Sequence, residues 1–228
     1  FTIPILFGIA VFIACFFLGI RETTLISFPL TGFVAAAILI EFHRGTQSRS
    51  KRFNEPFFTA LKTLISRNRS RYGGYIVHLG IVFMFIGFSG HAFDSELEFA
   101  MKTGEIKEFD GYKFELVSIT PTERPNHIAW IAGLNIWDQE NQLVTRLFPE
   151  KRVYFHKDPN PDKRQPHSEL DIHSTLVKDI YTIFSGVDME QQIAYLKIMI
   201  NPLVWWVWFG GYVLIFGTMI ALWPVKEH

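Results

Sequence analysis

Apolar residues fall in two patterns along this chain: long unbroken runs, and one central stretch of alternation. Phe1 to Ile20, Thr23 to Ile40, Tyr72 to Phe93 and Ile198 to Val225 each contain no Asp, Glu, Lys or Arg. A helix satisfies its own backbone hydrogen bonds, and about 20 residues of it cross a hydrocarbon core of about 30 Å. The runs therefore predict four transmembrane α-helices. Between the third and fourth the period changes. Ile128, Trp130, Ala132, Leu134 and Ile136 alternate along one strand face, and Leu143, Thr145 and Leu147 alternate again before a break at Pro149. Thr103-Gly104 and Asp110-Gly111 are turn signals, while 168–184 and 191–197 read as further strands. The expected fold is a membrane protein whose last two helices carry between them a mainly antiparallel β domain, a small barrel or sandwich.

The boundaries follow from the same pattern. Residues 1–42 form a two-helix hairpin joined at Arg21-Glu22, and 43–71 form a basic loop. In that loop Phe57, Phe58, Leu61, Leu64 and Ile65 share one face of a short interfacial helix. Residues 72–93 form the third span, 94–197 the β domain, 198–225 the last span and 226–228 a tail. Within the β domain, Lys157 to Pro166 has three prolines and reads as a loop.

Charge adds an orientation. Arg44, Arg49, Lys51, Arg52, Lys62, Arg67, Arg69 and Arg71 face a single acid, Glu55, in the loop between spans two and three. Short basic loops stay cytoplasmic. From Asp94 to Lys197 there are 12 Lys and Arg against 18 Asp and Glu, which suits a periplasmic domain and places both chain ends in the cytoplasm. With net charge +0 overall, no nucleic-acid partner is expected. The chain has no initiator Met and opens inside an apolar run, so it is expected to be part of a longer protein. The single Cys15 is an apolar filler in the first run.

Candidate chemistry is sparse. An ionisable group inside a span is costly and therefore a functional candidate. His78 and His91 stand 13 residues apart in the third span, roughly 20 Å along a helix, so they cannot share one metal. His91 falls at the outer boundary, where water solvates it. His78 sits about two turns inside and admits two readings: a histidine hydrogen-bonded to a neighbouring helix, or an axial ligand to haem iron. Gly73, Gly80 and Gly87 recur every seven residues and form a small-residue seam, for helix packing or for close approach of a flat ligand. His127, His156, His167 and His173 lack metal-site spacing and read mostly as surface residues. Trp205, Trp206 and Trp208 fit an interfacial aromatic belt. Trp130, Trp137 and Tyr154 serve either strand-core packing or partner contacts. No Gly-rich phosphate loop, nucleophile elbow or Cys pair is present.

Four separated segments carry a resemblance: RYGGYIVHLGI at Arg71 to Ile81, GEIKEFDGYKFEL at Gly104 to Leu116, FPEKRVYF at Phe148 to Phe155, and NPLVWWVWFGGYVLIFG at Asn201 to Gly217. In this order they resemble the C-terminal portion of the CcmF family, which includes the NrfE and CycK proteins. The resemblance implies a subunit of the cytochrome c haem lyase, which attaches haem to apocytochrome c with the haem chaperone CcmE and the thiol oxidoreductase subunit CcmH. It also implies a b-type haem within the membrane, with His78 at the position of one axial ligand. The family's external WWD signature is not found here, and neither the substrate-haem histidines nor the second b-haem ligand can be assigned. The segment alone should not catalyse ligation. A non-enzymatic scaffold for cytochrome assembly partners is the alternative. A transporter is a weaker one, because no span offers an acidic or basic residue to couple ion movement.

Overall fold

The computed structural model describes residues 1–20, 23–155 and 165–224. The Arg21-Glu22 connection, His156, Lys157 to Arg164 of the proline-rich loop and the 226–228 tail lie outside the described residues. The chain divides into a helical unit, Phe1–Ala92 with Leu203–His228, and a β unit, Phe93–Pro202.

In the helical unit, α1 (Thr2–Phe17) pairs with α2 (Thr24–Phe53); α3 (Phe57–Arg67), α4 (Arg69–Ser89) and α5 (Val204–Leu222) complete it. Three helical stretches are long and apolar enough to cross a membrane: Thr24–Phe53, Val204–Leu222, and Arg69–Phe93, which includes a terminal 3-10 turn. The fourth, α1, is apolar but has 16 residues, about 24 Å. It stops there because Gly19 takes a left-handed φ of 74°, while the Gly19 and Ile20 amides donate to the Phe16 and Cys15 carbonyls. That is a Schellman end, which no residue with a β-carbon enters as easily. Cys15 is buried, with a free thiol.

Two boundaries differ from the apolar runs. The basic segment after residue 43 is not a loop at first, because α2 continues through it to Phe53. Its residues there, Gln47, Arg49, Lys51 and Arg52 among them, are good helix formers, and Lys51 and Arg52 sit in the last turn where a helix end favours cations. At the other end, Ile198 to Pro202 belong to a strand and not to the last span. Ile198 and Ile200 are 0% and 1% exposed in the β core, and α5 starts only at Val204, after Leu203 turns the chain with φ 65°. A buried strand and a membrane span are equally apolar, so hydropathy alone merges them.

The β unit is a sandwich of antiparallel sheets. Its strands are β1 (Ser95–Lys102), β2 (Ile106–Phe109), β3 (Tyr112–Arg124), β4 (His127–Trp137), β5 (Leu143–Leu147), β6 (Glu150–Tyr154), β7 (His167–Glu169), β8 (Asp171–Ser174), β9 (Lys178–Asp188) and β10 (Ile193–Pro202). One sheet has the order β1-β10-β9-β8; the other runs β2-β3-β4-β6-β7, with β5 also on β4. The Asp110-Gly111 signal forms a two-residue hairpin with φ 47° and 81°, closing Phe109 onto Tyr112. Pro149 divides β5 from β6, which occupy successive halves of the same β4 edge.

Alternation fills the core from both sheets. Phe114 and Leu116 with Ala132, Leu134 and Ile136 meet Ile180 and Phe184 with Ala194, Leu196, Ile198 and Ile200. Trp130 packs against this core, and the Trp137 indole donates to Glu115 at 3.1 Å, so both serve the sandwich. Phe184 is fully buried. Phe184→Ala is expected to cost about 3–5 kcal/mol, a large share of the roughly 5–15 kcal/mol that holds a domain folded. Limited proteolysis of the intact protein should then cut the β unit at far lower protease levels than in the wild type.

Candidate functional site

Helix α4 has two working faces. A β-carbon placed on Gly73 would stand 2.6 Å from the Ala221 nitrogen, one on Gly80 2.6 Å from the Leu214 nitrogen, and one on Gly87 2.8 Å from the Val207 nitrogen. Across from them, Gly210 and Gly217 are equally tight against α4 backbone. The heptad seam thus brings the backbones of α4 and α5 together, and of its two readings the structure shows helix packing. Around this seam Phe83 packs on Trp206 and Phe209, and Trp205 stacks on Phe209 at 5.1 Å.

The other face carries His78. At ~100° per residue it lies about 160° round the helix from Gly80, so the histidine points away from α5. His78, Ile81, Val82 and Phe85 follow the i, i+3, i+4, i+7 spacing of a single stripe. Opposite them runs a stripe of α2 that includes Ile26, Leu30, Thr31 and Val34, and the two stripes enclose a groove of about 470 Å³. Small polar contacts hold the groove together: Ser27 and Ser89 share a 2.6 Å hydrogen bond between α2 and α4, and the Thr31 hydroxyl donates to the Ser27 carbonyl at 2.7 Å. No charged side chain is among the groove's described lining.

The imidazole itself is held in one tautomer. Its Nδ1 lies 2.8 Å from the Gly74 carbonyl one turn back. A carbonyl only accepts, so Nδ1 carries a proton, and in a neutral imidazole the lone pair then lies on Nε2. His78 is therefore bonded to its own helix and not to a neighbouring one, and it remains exposed along the groove. Histidines that bind metal almost always donate their second nitrogen in this way, which fixes the ring and raises its basicity. His91 lies in the 3-10 turn Gly90–Phe93 after α4, exposed. Among the described residues no three His, Cys, Asp or Glu side chains come together as a metal site.

Among the described histidines of the β unit, one differs from its sequence reading. His127 is 5% exposed, not a surface residue. It opens β4 on the face opposite Ala132, Leu134 and Ile136, beside the buried Ala129, and packs on Tyr154 across the ladder at 5.0 Å. Tyr154 in turn meets His167 at 5.8 Å, so three rings form a short column. His127 Nδ1 bonds the Asn126 side chain at 2.7 Å, and its Nε2 is buried with no hydrogen-bond partner among the described residues. Hydrogen bonding to Tyr154, then to Glu150, raises the Arg152 pKa beside this column. Strand alternation placed His127 off the core face; that a second layer of rings covers it depends on β6 and β7, which are distant in sequence.

A β-sandwich inserted between membrane-length helices recurs in known proteins. A family model described as the CcmF C-terminal beta-sandwich matches residues 92–202. The chain belongs to the CcmF family. The cytochrome c-type biogenesis protein CcmF of Haemophilus influenzae is 27% identical over 204 residues, covering 89% of this chain and 29% of that protein. The cytochrome c-type biogenesis protein ccl1 of Rhodobacter capsulatus is 30% identical over 156 residues, 68% of this chain and 22% of its own length. A solved structure of the cytochrome c heme lyase CcmF superposes with a TM-score of 0.71 at 19% identity, over 98% of this chain and 34% of that one. The last comparison extends the shared fold from the sandwich to the helices. The chain spans between about a quarter and a third of the length of these CcmF-family proteins.

Proposed function

We propose that this protein works in cytochrome c maturation at the bacterial cytoplasmic membrane, and that His78 supplies one axial ligand to a b-type haem seated against the α2–α4 groove. The observation that supports it is the orientation of the imidazole: Nδ1–H is given to the Gly74 carbonyl, which leaves Nε2 as the nitrogen that can ligate beside an apolar groove. The surroundings fit a porphyrin. Ile26, Leu30, Val34, Ile81, Val82 and Phe85 give it apolar walls, and Thr31 and Ser27 are already hydrogen-bonded. Bound haem would supply one-electron chemistry between ferric and ferrous iron, tuned by its axial ligand and burial. The chain's own part is to hold the ring of His78, to keep the groove dry and to set the depth of the site about two turns into α4.

The basic segment around α3 then faces the cytoplasm and the acidic sandwich faces the periplasm. There the sandwich serves as a docking or covering surface near the place where haem from CcmE joins apocytochrome c presented with CcmH. The test is the reduced-minus-oxidised spectrum of the intact protein purified in detergent. A low-spin b-type spectrum is expected. A haem-free preparation would overturn the haem reading and leave a scaffold that gathers the assembly partners.

A second test separates the two units. Because β10 runs to Pro202, the clean excision is 94–202 rather than 94–197. Cells carrying that deletion are expected to lose cytochrome c maturation while the membrane protein keeps its b-type spectrum. Loss of both would make the sandwich a structural support for the helices.

A further inference from the structure

At the basic end of the helical unit, α3, the start of α4 and the end of α5 enclose a second groove of about 360 Å³. Its walls are apolar and outward-facing: Phe216, Met219 and Trp223 are 58%, 56% and 61% exposed, with Ile65 opposite on α3. Its mouth is cationic. Lys62 and Arg69 both line it, and Lys62 has no acidic partner among the described residues. Arg69 gives Nε to the Ser66 carbonyl and Nη1 to the Pro224 carbonyl, each at 3.0 Å, which ties α3 to the end of α5. Its Nη2 takes no part in those bonds, and a guanidinium has five N–H donors to share.

Among the described residues, the two acids of this part of the sequence have basic partners. Glu55 pairs with Arg49 and Glu41 with Arg71, each at 3.0 Å. The segment from Arg44 to Arg71 therefore keeps a surplus of cations, eight Lys and Arg against one acid. An apolar trough topped by two cations matches a molecule with an anionic head and a hydrocarbon tail. Trp223 stands where aromatic rings sit at headgroup depth, and α3 presents Phe57, Phe58, Leu61 and Ile65 as an interfacial helix would.

We infer that this groove binds an anionic phospholipid of the basic-side leaflet, with its phosphate between Lys62 and Arg69 and an acyl chain along Phe216 and Met219. A zwitterionic lipid would carry its own cation to the same mouth and lose the attraction. Basic pockets between membrane helices recognise headgroups in this way. Bound lipid would lock α3 against α4 and α5 by filling the space the three leave between them. The inference rests on the membrane placement of the helices and not on the haem reading, and its readout requires no haem.

The experiment is native mass spectrometry of the intact protein, in detergent, with phosphatidylglycerol or phosphatidylcholine of the same acyl chains. Preferential retention of phosphatidylglycerol is expected. Lys62→Ala, at an exposed position that leaves the fold alone, should lower that retention about fivefold, the effect of one cation at an anionic surface. Met219→Trp should lower retention of phosphatidylglycerol by filling the trough. Equal retention of the two lipids, or retention unchanged in Lys62→Ala, would overturn the site. Displacement of bound phosphatidylglycerol by millimolar inorganic phosphate would overturn it as a lipid site and leave a phosphate site.

Discussion

Replacing His78 by alanine is expected to remove the low-spin b-type spectrum from the purified protein. Among the described residues lining the α2–α4 groove, His78 brings the single imidazole, and the others are aliphatic, aromatic or hydroxyl side chains. Loss of an outer-shell partner alone costs roughly 10–100-fold in metal affinity, so loss of the ligand itself should cost more. A second variant separates ligation from packing. His78→Gly leaves a gap the shape of the ring, and added imidazole should enter it and restore the spectrum. Rescue of that kind requires a nitrogen at the iron, since a histidine that merely packed would not be replaced by a free base. A spectrum unchanged in His78→Ala would move the ligand elsewhere and leave His78 as a polar side chain bonded to its own helix.

The second large effect is expected at Gly80. A β-carbon there would come within 2.6 Å of the Leu214 nitrogen and 2.7 Å of the Gly210 carbonyl oxygen. These are backbone atoms and cannot rotate away as a side chain would. Gly80→Ala should therefore cost about 1–3 kcal/mol, the range for overpacking. Gly80→Leu should separate α4 from α5 and leave little folded protein after detergent extraction. Gly211 is the control, because nothing lies within 4 Å of its missing β-carbon. Gly211→Ala should leave the melting temperature of the purified protein unchanged or slightly raised, as a glycine in a helix interior is entropically unfavourable. Thermal melts of the three variants side by side would check this. Equal melting of Gly80→Ala and wild type would mean that the helix pair tolerates a wider spacing than its seam implies.

Where sequence reasoning succeeded, a physical period or a steric requirement stood behind it. The charge-free runs marked α2, α4 and α5 because hydrocarbon excludes charge. Asp110-Gly111 marked a hairpin because only such residues accept two positive φ angles in a row. The seven-residue glycine spacing marked a seam because it returns to nearly the same side of a helix. Where it failed, two environments shared one composition. Ile198 and Ile200 are as apolar as any span, yet they fill the sandwich core beside Leu196. The basic stretch that ends at Phe53 looked like a loop because it is polar, but polar residues of good helix propensity simply carry α2 out of the apolar zone.

The sequence by itself determined the architecture and the candidate: helices that suit a membrane, a β domain between the last two, and a histidine within an apolar helix, where an ionisable group is costly. Tertiary structure decided what each residue faces. It turned the glycine seam to α5 and His78 to α2, because ~100° per residue leaves them on opposite sides of one helix. It also buried His127 under Tyr154, which stands 27 positions further along the chain and comes opposite it only through the β4–β6 pairing. Periodicity reports which side of an element a residue occupies; only folding brings the neighbour that gives the side its meaning.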